Sequence, residues 1–532
     1  MWKAPGNGGL LIFRWIYLAR MLPVLTADQL RQADAWIIAH EPITSIELME
    51  RAAIRCVEWL EGHRSRLFAS TAIEEQPYLI LVGPGNNGGD GLAMARLLHA
   101  AGHPVRVCRP FAALRSTDDN SLNHSRLENS GVVMLEESGG GRPPDILPGE
   151  VVIDALFGIG LSRPLQGDQR RFVKGLNASK ATVIAIDMPS GLLSEDNMSN
   201  DMEAVVRATW TLTFHVPKLA FFLPDSIPFV GSWDVLDIGL DKGFFAQQKS
   251  PYLVPGPEDL QGLLPLRPAY AHKGTFGHAL LMAGGPGMLG AAVMAVRAAA
   301  RSGVGRLSVH IPSSGREVLH TAAPEAMVLA DQNPMELTAI PDLQRYTAVG
   351  IGPGIGQGPK TAKCLRALIQ TVQVPCVFDA DALNILAQEP TWAAFLPPGS
   401  VLTPHPAEAD RLFGRSASPF ERLQKARDFA RKQHVVVVLK GARTAICAPD
   451  GRVFFNLTGN AGMAKGGSGD VLTGLLAGLL AQGMPPLPAA LVGVHLHGSA
   501  GDHAAAELGQ DAMTANDLPD FLSRAFHALR GQ

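Results

Sequence analysis

A chain of 532 residues is too long for one core, so two or three domains are expected. With 46 Lys and Arg against 49 Asp and Glu, the formal net charge of −3 excludes the basic footprint of a non-specific nucleic-acid binder. No uncharged apolar run reaches membrane-spanning length. The cysteines (Cys56, Cys108, Cys364, Cys376 and Cys447) are scattered without a C-x-x-C, which speaks against a disulfide framework or zinc cluster and fits a reducing cytoplasm.

Residues 1–20 contain a short apolar stretch interrupted by Arg14 and lack a small-residue cleavage site. They are read as an N-terminal extension, with Met21 as an alternative start. Thr26 is an N-cap candidate for a first amphipathic helix, and residues 45–61 read as a second. Y-L-I-L-V at 78–82 reads as a buried strand. It runs into G-P-G-N-N-G-G-D-G at 83–91, and a helix is expected from Leu92. Strand, glycine turn and helix make the phosphate-binding unit of a doubly wound sheet. Asn86, Asn87 and Asp90 add oxygen-bearing side chains that suit hard cations and ribose hydroxyls, although Asn and Asp also simply shape turns.

Further strands are expected at 103–108, 151–156 and 181–186, with closing strands at 211–215 and 233–238; the polar stretch 115–142 holds a helix and a loop. Asp154 and Asp187 lie at or near strand C-terminal ends, the edge where open parallel sheets bind ligands. Residues 241–260 mix polar residues with Pro and Gly and mark a seam. The expected divisions are an extension at 1–20, a first domain at 21–245, a linker at 246–259 and a second domain at 260–532. Each sheet is expected to be self-contained, so that the halves separate.

In the second half a strand at 278–283 precedes G-G-P-G. The helix at 288–305 carries small residues that permit close approach to a sheet. Strands at 306–311, 347–351, 375–378, 400–403 and 435–439 follow. The last four end in G-P-G-I-G, D-A-D-A-L-N, P-H-P-A-E and K-G-A-R-T. A hairpin at 443–456 turns on P-D-G. Then comes N-L-T-G-N-A-G-M-A-K-G-G-S-G-D-V-L-T-G at 456–474, opening into an apolar helix. Backbone N–H groups and the helix dipole make such a loop an anion site. Asp470 is its one carboxylate, and is either a chemical group or the helix N-cap. His495 and His497 have no Cys or acidic partner in register and read as helix packing rather than a metal pair.

Together these motifs resemble the bifunctional NAD(P)H-hydrate repair enzymes from about residue 22 to 529. The N-terminal half resembles the NAD(P)HX epimerase through V-G-P-G-N-N-G-G-D-G, V-I-D-A-L-F-G-I-G-L-S-R-P and A-I-D-M-P-S-G. The C-terminal half resembles the ADP- or ATP-dependent NAD(P)HX dehydratase of the ribokinase-like superfamily. Its motifs are K-G-T-F-G-H, G-I-G-P-G, D-A-D-A-L-N, T-P-H-P-A-E, L-K-G-A-R-T and G-G-S-G-D. The implied fold class is α/β, a Rossmann-like three-layer domain followed by a ribokinase-like α/β domain.

The resemblance also implies roles for residues. Asn86, Asn87, Gly88, Gly89 and Asp90 match the epimerase substrate site, with Gly158, Ile159, Gly160, Leu161, Ser162, Arg163 and Pro164 as a second contacting loop. Asp187 matches a substrate contact able to act as acid or base, and Asn87, Asp154 and Ser190 match potassium ligands. In the other half Ala291, Gly352, Gly354, His405 and Asp470 match the hydrated-dinucleotide site. Lys440, Gly441, Ala442, Arg443, Thr444 and Gly469 match the adenine-nucleotide site. Asp470 would take the proton of the C6 hydroxyl before phosphoryl transfer. The implied cofactors are K+ in the epimerase and Mg2+ with ADP or ATP in the dehydratase. The implied partners are NADHX, NADPHX and the nucleotide, in a cytoplasmic homo-oligomer that engages neither nucleic acid nor membrane. The rival reading is a ribokinase-type small-molecule kinase fused to a nucleotide-binding module, which would release a stable phosphorylated product.

Overall fold

The computed structural model describes residues 21–41, 43–68, 77–111, 113–135, 141–239 and 242–532; the expected extension at 1–20 lies outside them. In chain order the first eight strands are β1 Leu22–Pro23, β2 Tyr78–Val82, β3 Val105–Cys108, β4 Val133–Leu135, β5 Val151–Ala155, β6 Thr182–Ile186, β7 Trp210–Phe214 and β8 Ser232–Leu236. There follow β9 Tyr252–Val254, β10 His278–Met282, β11 Arg306–Ile311, β12 Met327–Ala330 and β13 Ala348–Ile351. The last are β14 Cys376–Phe378, β15 Val401–Leu402, β16 Val436–Leu439, β17 Ala445–Cys447 and β18 Val453–Phe455.

Both sheets are α/β, as expected. The N-terminal one runs β4-β3-β2-β5-β6-β7-β8 and is parallel throughout. Its central strands, β2 and β5, are buried along their whole length, because helices cover both faces. Strand order reverses between β2 and β5, so the crevice beyond their C-terminal ends is the topological switch point. The C-terminal sheet runs β1-β9-β18-β17-β16-β15-β14-β13-β10-β11-β12. It is parallel from β16 to β12, with its own reversal between β10 and β13. The β17–β18 hairpin continues it antiparallel.

Three features differ from the sequence reading. Helix Asn86–Ala100 begins at once after β2, capped by Gly85, so Asn86 to Asp90 form its first turns rather than a loop. Glycine content argued for a loop, but these glycines serve packing: a Cβ at Gly88 would lie 1.9 Å from the Gly83 carbonyl oxygen, and one at Gly91 2.6 Å from the Ala155 Cβ. Second, the small residues of helix Leu289–Arg301 admit a neighbouring helix, Ser468–Ala481. A Cβ at Gly474 would sit 1.9 Å from the Ala295 carbonyl oxygen.

The third concerns the seam. The stretch read as a linker contains β9, which pairs in parallel with β18 and antiparallel with β1. Leu22 and Pro23 therefore close the edge of the C-terminal sheet. The chain then crosses to the N-terminal domain, where helix Ala27–His40 starts with a Thr26–Gln29 capping box. Apolar side chains of both halves form one core, in which Leu219, Phe222 and Val230 pack with Val453 and Phe455. The Phe222 and Phe455 rings stack at 4.4 Å. Each such buried side chain contributes roughly 1.5–3 kcal/mol, so the halves are not independently closed.

Candidate active sites

Two clusters of polar side chains lie beyond strand C-terminal ends, one at the switch point of the N-terminal sheet and one beyond β13 to β16 of the C-terminal sheet. In the N-terminal domain, β2 delivers Asn87 and Asp90 on the first turns of its helix, β5 delivers Asp154 and the turn after it, and β6 delivers Asp187 and Ser190. Asp154 is fully buried. Its carboxylate accepts from the Ser190 N–H (2.8 Å), the Ser190 hydroxyl (2.6 Å) and the Leu156 N–H (3.3 Å). Burial pushes its pKa up to about 6, against the pull of those hydrogen bonds. Ser190 Oγ also accepts from the Phe157 N–H at 2.8 Å. A Cβ at Gly158 would stand 3.3 Å from Asn87 Oδ1, so Asn87, Asp154 and Ser190 gather around the Phe157–Gly158 peptide.

Asn87 Nδ2 is buried without a hydrogen-bond partner. Among the described residues no cationic side chain pairs with Asp154. A buried carboxylate without a cation and a buried amide without an acceptor form an incomplete polar network. Asp90 is raised well above the usual carboxylate range by burial, then by the field of Asp187. From Gly158 to Pro164 the backbone is an open turn leading away from β5, with Gly160, Ser162 and Arg163 exposed.

Asp187 lies at the end of β6 with φ 63°, a left-handed conformation that Asp tolerates better than most residues. Its partner escaped the sequence reading. Lys218 is 1% exposed, and its ammonium donates to Asp187 Oδ1 (2.5 Å), Thr213 Oγ1 (2.6 Å) and the Phe214 carbonyl (3.2 Å). The available signal was a single lysine inside the otherwise uncharged run from Thr211 to Pro224.

In the C-terminal domain the strand ends of β13, β14, β15 and β16 converge on the N-terminus of helix Ser468–Ala481. Gly467 is the N-cap of that helix, in a left-handed conformation (φ 100°), and Asp470 is the third residue of the first turn. Asp470 is therefore not the cap. Burial, first, and the neighbouring Asp379 raise its carboxyl to about 6, while Lys440 pulls the other way. Lys440 donates to Asp379 Oδ1 at 2.8 Å and lies 3.8 Å from Glu408. Burial disfavours its charge, but Asp379 and Glu408 outweigh burial and hold it above the ordinary lysine range. Asp379 Oδ2 accepts from Thr473 Oγ1 at 2.8 Å, one helical turn after Asp470. A Cβ at Gly469 would meet Lys440 Nζ at 3.3 Å, so that glycine keeps the cleft open above the lysine.

The other expected positions border the same cleft. Gly352 (φ 133°) passes so close to Asp379 that a Cβ would sit 1.8 Å from its carbonyl oxygen. Gly354 faces Ala291, whose methyl would be 3.3 Å from an added Cβ. His405 caps helix Pro406–Phe413 in a capping box with Glu408. Gly441, Ala442, Arg443 and Thr444 form a turn closed by the Thr444 hydroxyl donating to the Gly441 carbonyl at 3.0 Å, with Arg443 reaching the Leu457 carbonyl at 2.9 Å. The sequence reading missed the roles of Asp379, Glu408 and Thr473 as supports. His497 lies within hydrogen-bond reach (2.9 Å) of the Ser468 carbonyl, and burial drops its pKa to about 4; it braces the glycine turn. Among the described residues no group of three His, Cys, Asp or Glu side chains forms a metal cage.

A lysine, a glycine-lined helix N-terminus and a half-buried carboxyl define an α/β enzyme site for a phosphorylated ligand, fused to a second α/β domain with its own polar crevice. Residues 279–524 match the family described as NAD(P)H-hydrate dehydratase, and residues 45–220 the one described as YjeF-related protein N-terminus. The bifunctional NAD(P)H-hydrate repair enzyme Nnr of Moorella thermoacetica is 38% identical over 513 residues, covering 94% of this chain and 96% of that protein. The Escherichia coli enzyme of the same name is 32% identical over 501 residues, covering 94% and 93%. The ADP/ATP-dependent NAD(P)H-hydrate dehydratase of Bacillus subtilis, co-crystallised with ATP/Mg2+, is 34% identical over 52% of this chain and 99% of its own, with a TM-score of 0.46. The chain belongs to the family of bifunctional NAD(P)H-hydrate repair enzymes.

Proposed function

We propose that this chain repairs hydrated NADH and NADPH. The N-terminal site interconverts the two C6 epimers, and the C-terminal site dehydrates the S form at the expense of ADP or ATP. The observation that carries the reading is Asp470, a half-buried carboxyl raised to about 6 in a glycine cleft beside Lys440. Asp470 takes the proton of the C6 hydroxyl, and that oxygen attacks the terminal phosphoryl group of the nucleotide, whose bond to the bridging oxygen breaks to release AMP from ADP or ADP from ATP. Phosphate then leaves with the C6–O electron pair, a C5 proton is lost, and the ring double bond returns. Lys440 and the N–H groups around Gly467 to Gly469 bear on the charge of the phosphoryl group. Gly441 to Thr444 hold the adenine nucleotide, and Ala291, Gly352, Gly354 and His405 border the dinucleotide.

The C6 carbon bears both a hydroxyl and the ring nitrogen, so it is a hemiaminal and inverts by opening and reclosing. A base removes the hydroxyl proton, the C6–N1 bond breaks with its pair going to nitrogen, and the nitrogen is protonated. Rotation and reversal give the other epimer. Asp187 is the group we assign to that proton, with Asn86 to Asp90 and Gly158 to Pro164 around the substrate.

The unpaired Asp154 carboxylate and the oxygens of Asn87 and Ser190 suit a large monovalent cation, K+, which would supply positive charge in the crevice. K+ in place of choline is expected to raise the unfolding temperature. At ten times its Kd it adds about 1.4 kcal/mol. Asp154→Asn should remove that difference in thermal unfolding; an unchanged difference would assign the ion elsewhere. Mg2+ bound to the nucleotide phosphates would neutralise part of their charge beside Asp379 and Asp470.

All five cysteines are buried and free, in keeping with a cytoplasmic location, and no described helix is long and apolar enough to cross a membrane.

The direct test mixes both NADHX epimers with the protein, with and without ADP, and follows the reduced-nicotinamide absorbance. Full recovery is expected only with ADP. A stable phosphorylated product without recovery would mark a small-molecule kinase instead. The pH dependence has a fixed sign. Asp470 must be ionised to accept a proton, so dehydration should fall roughly tenfold per pH unit below about pH 6. A profile flat to pH 4.5, measured on the reactive epimer alone at about 25 °C, would remove Asp470 from proton transfer.

A further inference from the structure

We propose that Lys218 is a positioning residue of the epimerase site: it grips Asp187 by one oxygen so that the other faces the substrate. Asp187 Oδ1 accepts from Lys218 (2.5 Å), the Phe214 N–H (3.4 Å) and, weakly, the Thr213 hydroxyl (3.5 Å). Among the described residues no donor reaches Oδ2. The lysine has no freedom to do otherwise, because its three N–H bonds are taken by Asp187, Thr213 and the Phe214 carbonyl, and the side chain is 1% exposed. It does not reach the crevice itself and so acts through Asp187.

The segment that carries Lys218 is also backed by the other domain. The turn Leu219–Phe222 follows it directly, and Phe222 stacks on Phe455 at 4.4 Å with the rings 11° apart. Phe455 ends β18, one residue before the glycine-rich stretch that leads to Asp470. The dehydratase domain thus forms the wall against which the epimerase lysine is set. A lone epimerase domain would strip the Phe455 ring from Phe222 and leave it only its edge contact with Trp233.

This inference rests on the reading of Asp187 as the acid–base group, so Asp187→Asn is assayed beside the new variants in the full-length chain. Lys218→Met is expected to lower the epimerisation kcat about 100-fold, the scale of a misplaced reacting group, with KM little changed. Dehydration of the S epimer by the same sample should stay at the wild-type rate, which reports a folded protein. Lys218→Arg, which keeps charge and donors, should recover part of the loss. With Lys218→Ala, methylammonium, ethylammonium and less basic amines of similar size should restore activity according to fit, independent of their basicity. Phe222→Ala should lower the same kcat in the same direction by roughly tenfold. Wild-type epimerisation in Lys218→Met while Asp187→Asn is inactive overturns the inference alone; an active Asp187→Asn overturns the reading beneath it. Parallel loss of dehydration in Lys218→Met and in Lys218→Arg makes the lysine merely structural and also overturns the inference.

Discussion

Asp470→Asn should lower ADP-dependent dehydration of the S epimer by about 100- to 10,000-fold, the range for a lost general base. Asn has nearly the shape of Asp and does not disturb the helix start, because the cap is Gly467 and not residue 470. Nor does the change strip Lys440, whose direct partner is Asp379 at 2.8 Å. Nucleotide affinity should therefore survive. It should rise slightly, since a carboxylate near phosphate oxygens repels them. Turnover from reduced-nicotinamide absorbance and ADP affinity from calorimetry separate the possibilities. Near-normal turnover would leave the base unidentified, and joint loss of turnover and ADP binding would indicate a role in holding the nucleotide or its metal.

The electrostatic setting explains why this carboxyl suits the task. An exposed Asp, with a pKa near 3.9, is too weak a base to draw a proton from an alcohol at neutral pH. Burial and the Asp379 charge raise Asp470 to about 6. Lys440 keeps it from rising further, and Thr473 with Lys440 holds Asp379 in place by both oxygens. Removing Thr473 or Asp379 would thus alter the base without touching it.

How much of this was legible in the sequence follows from the range of each interaction. Strands such as Arg306–Ile311, and the Pro449–Gly451 turn of the hairpin, are set by local pattern and were readable within a residue or so. Asp470, Asp187 and Asp154 were readable because glycines and apolar strands on either side mark sheet ends. The start of helix Asn86–Ala100 was not, because its glycines answer to a carbonyl of Gly83 and a methyl of Ala155, contacts that only the fold creates. Lys218 and Asp187 are 31 residues apart, and Phe222 and Phe455 come from different domains, so no local periodicity links them. The two-residue strand Leu22–Pro23 has too few residues to show any period at all, yet it ties the start of one domain to the edge of the other sheet.

Asp187→Asn should slow epimerisation by at least about 100-fold. The substitution is conservative in backbone terms, because Asn adopts the left-handed conformation at φ 63° as readily as Asp does. Asn still offers Lys218 an oxygen, but the ion pair is gone, and a 1%-exposed ammonium is left with two neutral oxygens and an amide. Breaking a buried pair costs about 3–5 kcal/mol, so the variant should also melt earlier. Its untouched dehydratase site then supplies the assay. Given both epimers and ADP, the wild-type protein should consume them in one phase. The variant should consume the S form at the normal rate and the remainder only as fast as uncatalysed inversion feeds it. Two phases with a normal first rate identify Asp187 as the group that handles the C6 hydroxyl proton. One phase at the wild-type rate would reduce Asp187 to a substrate contact. Two phases with a slowed first rate would mean that damage at the Lys218 wall has reached the glycine loop through Phe222 and Phe455.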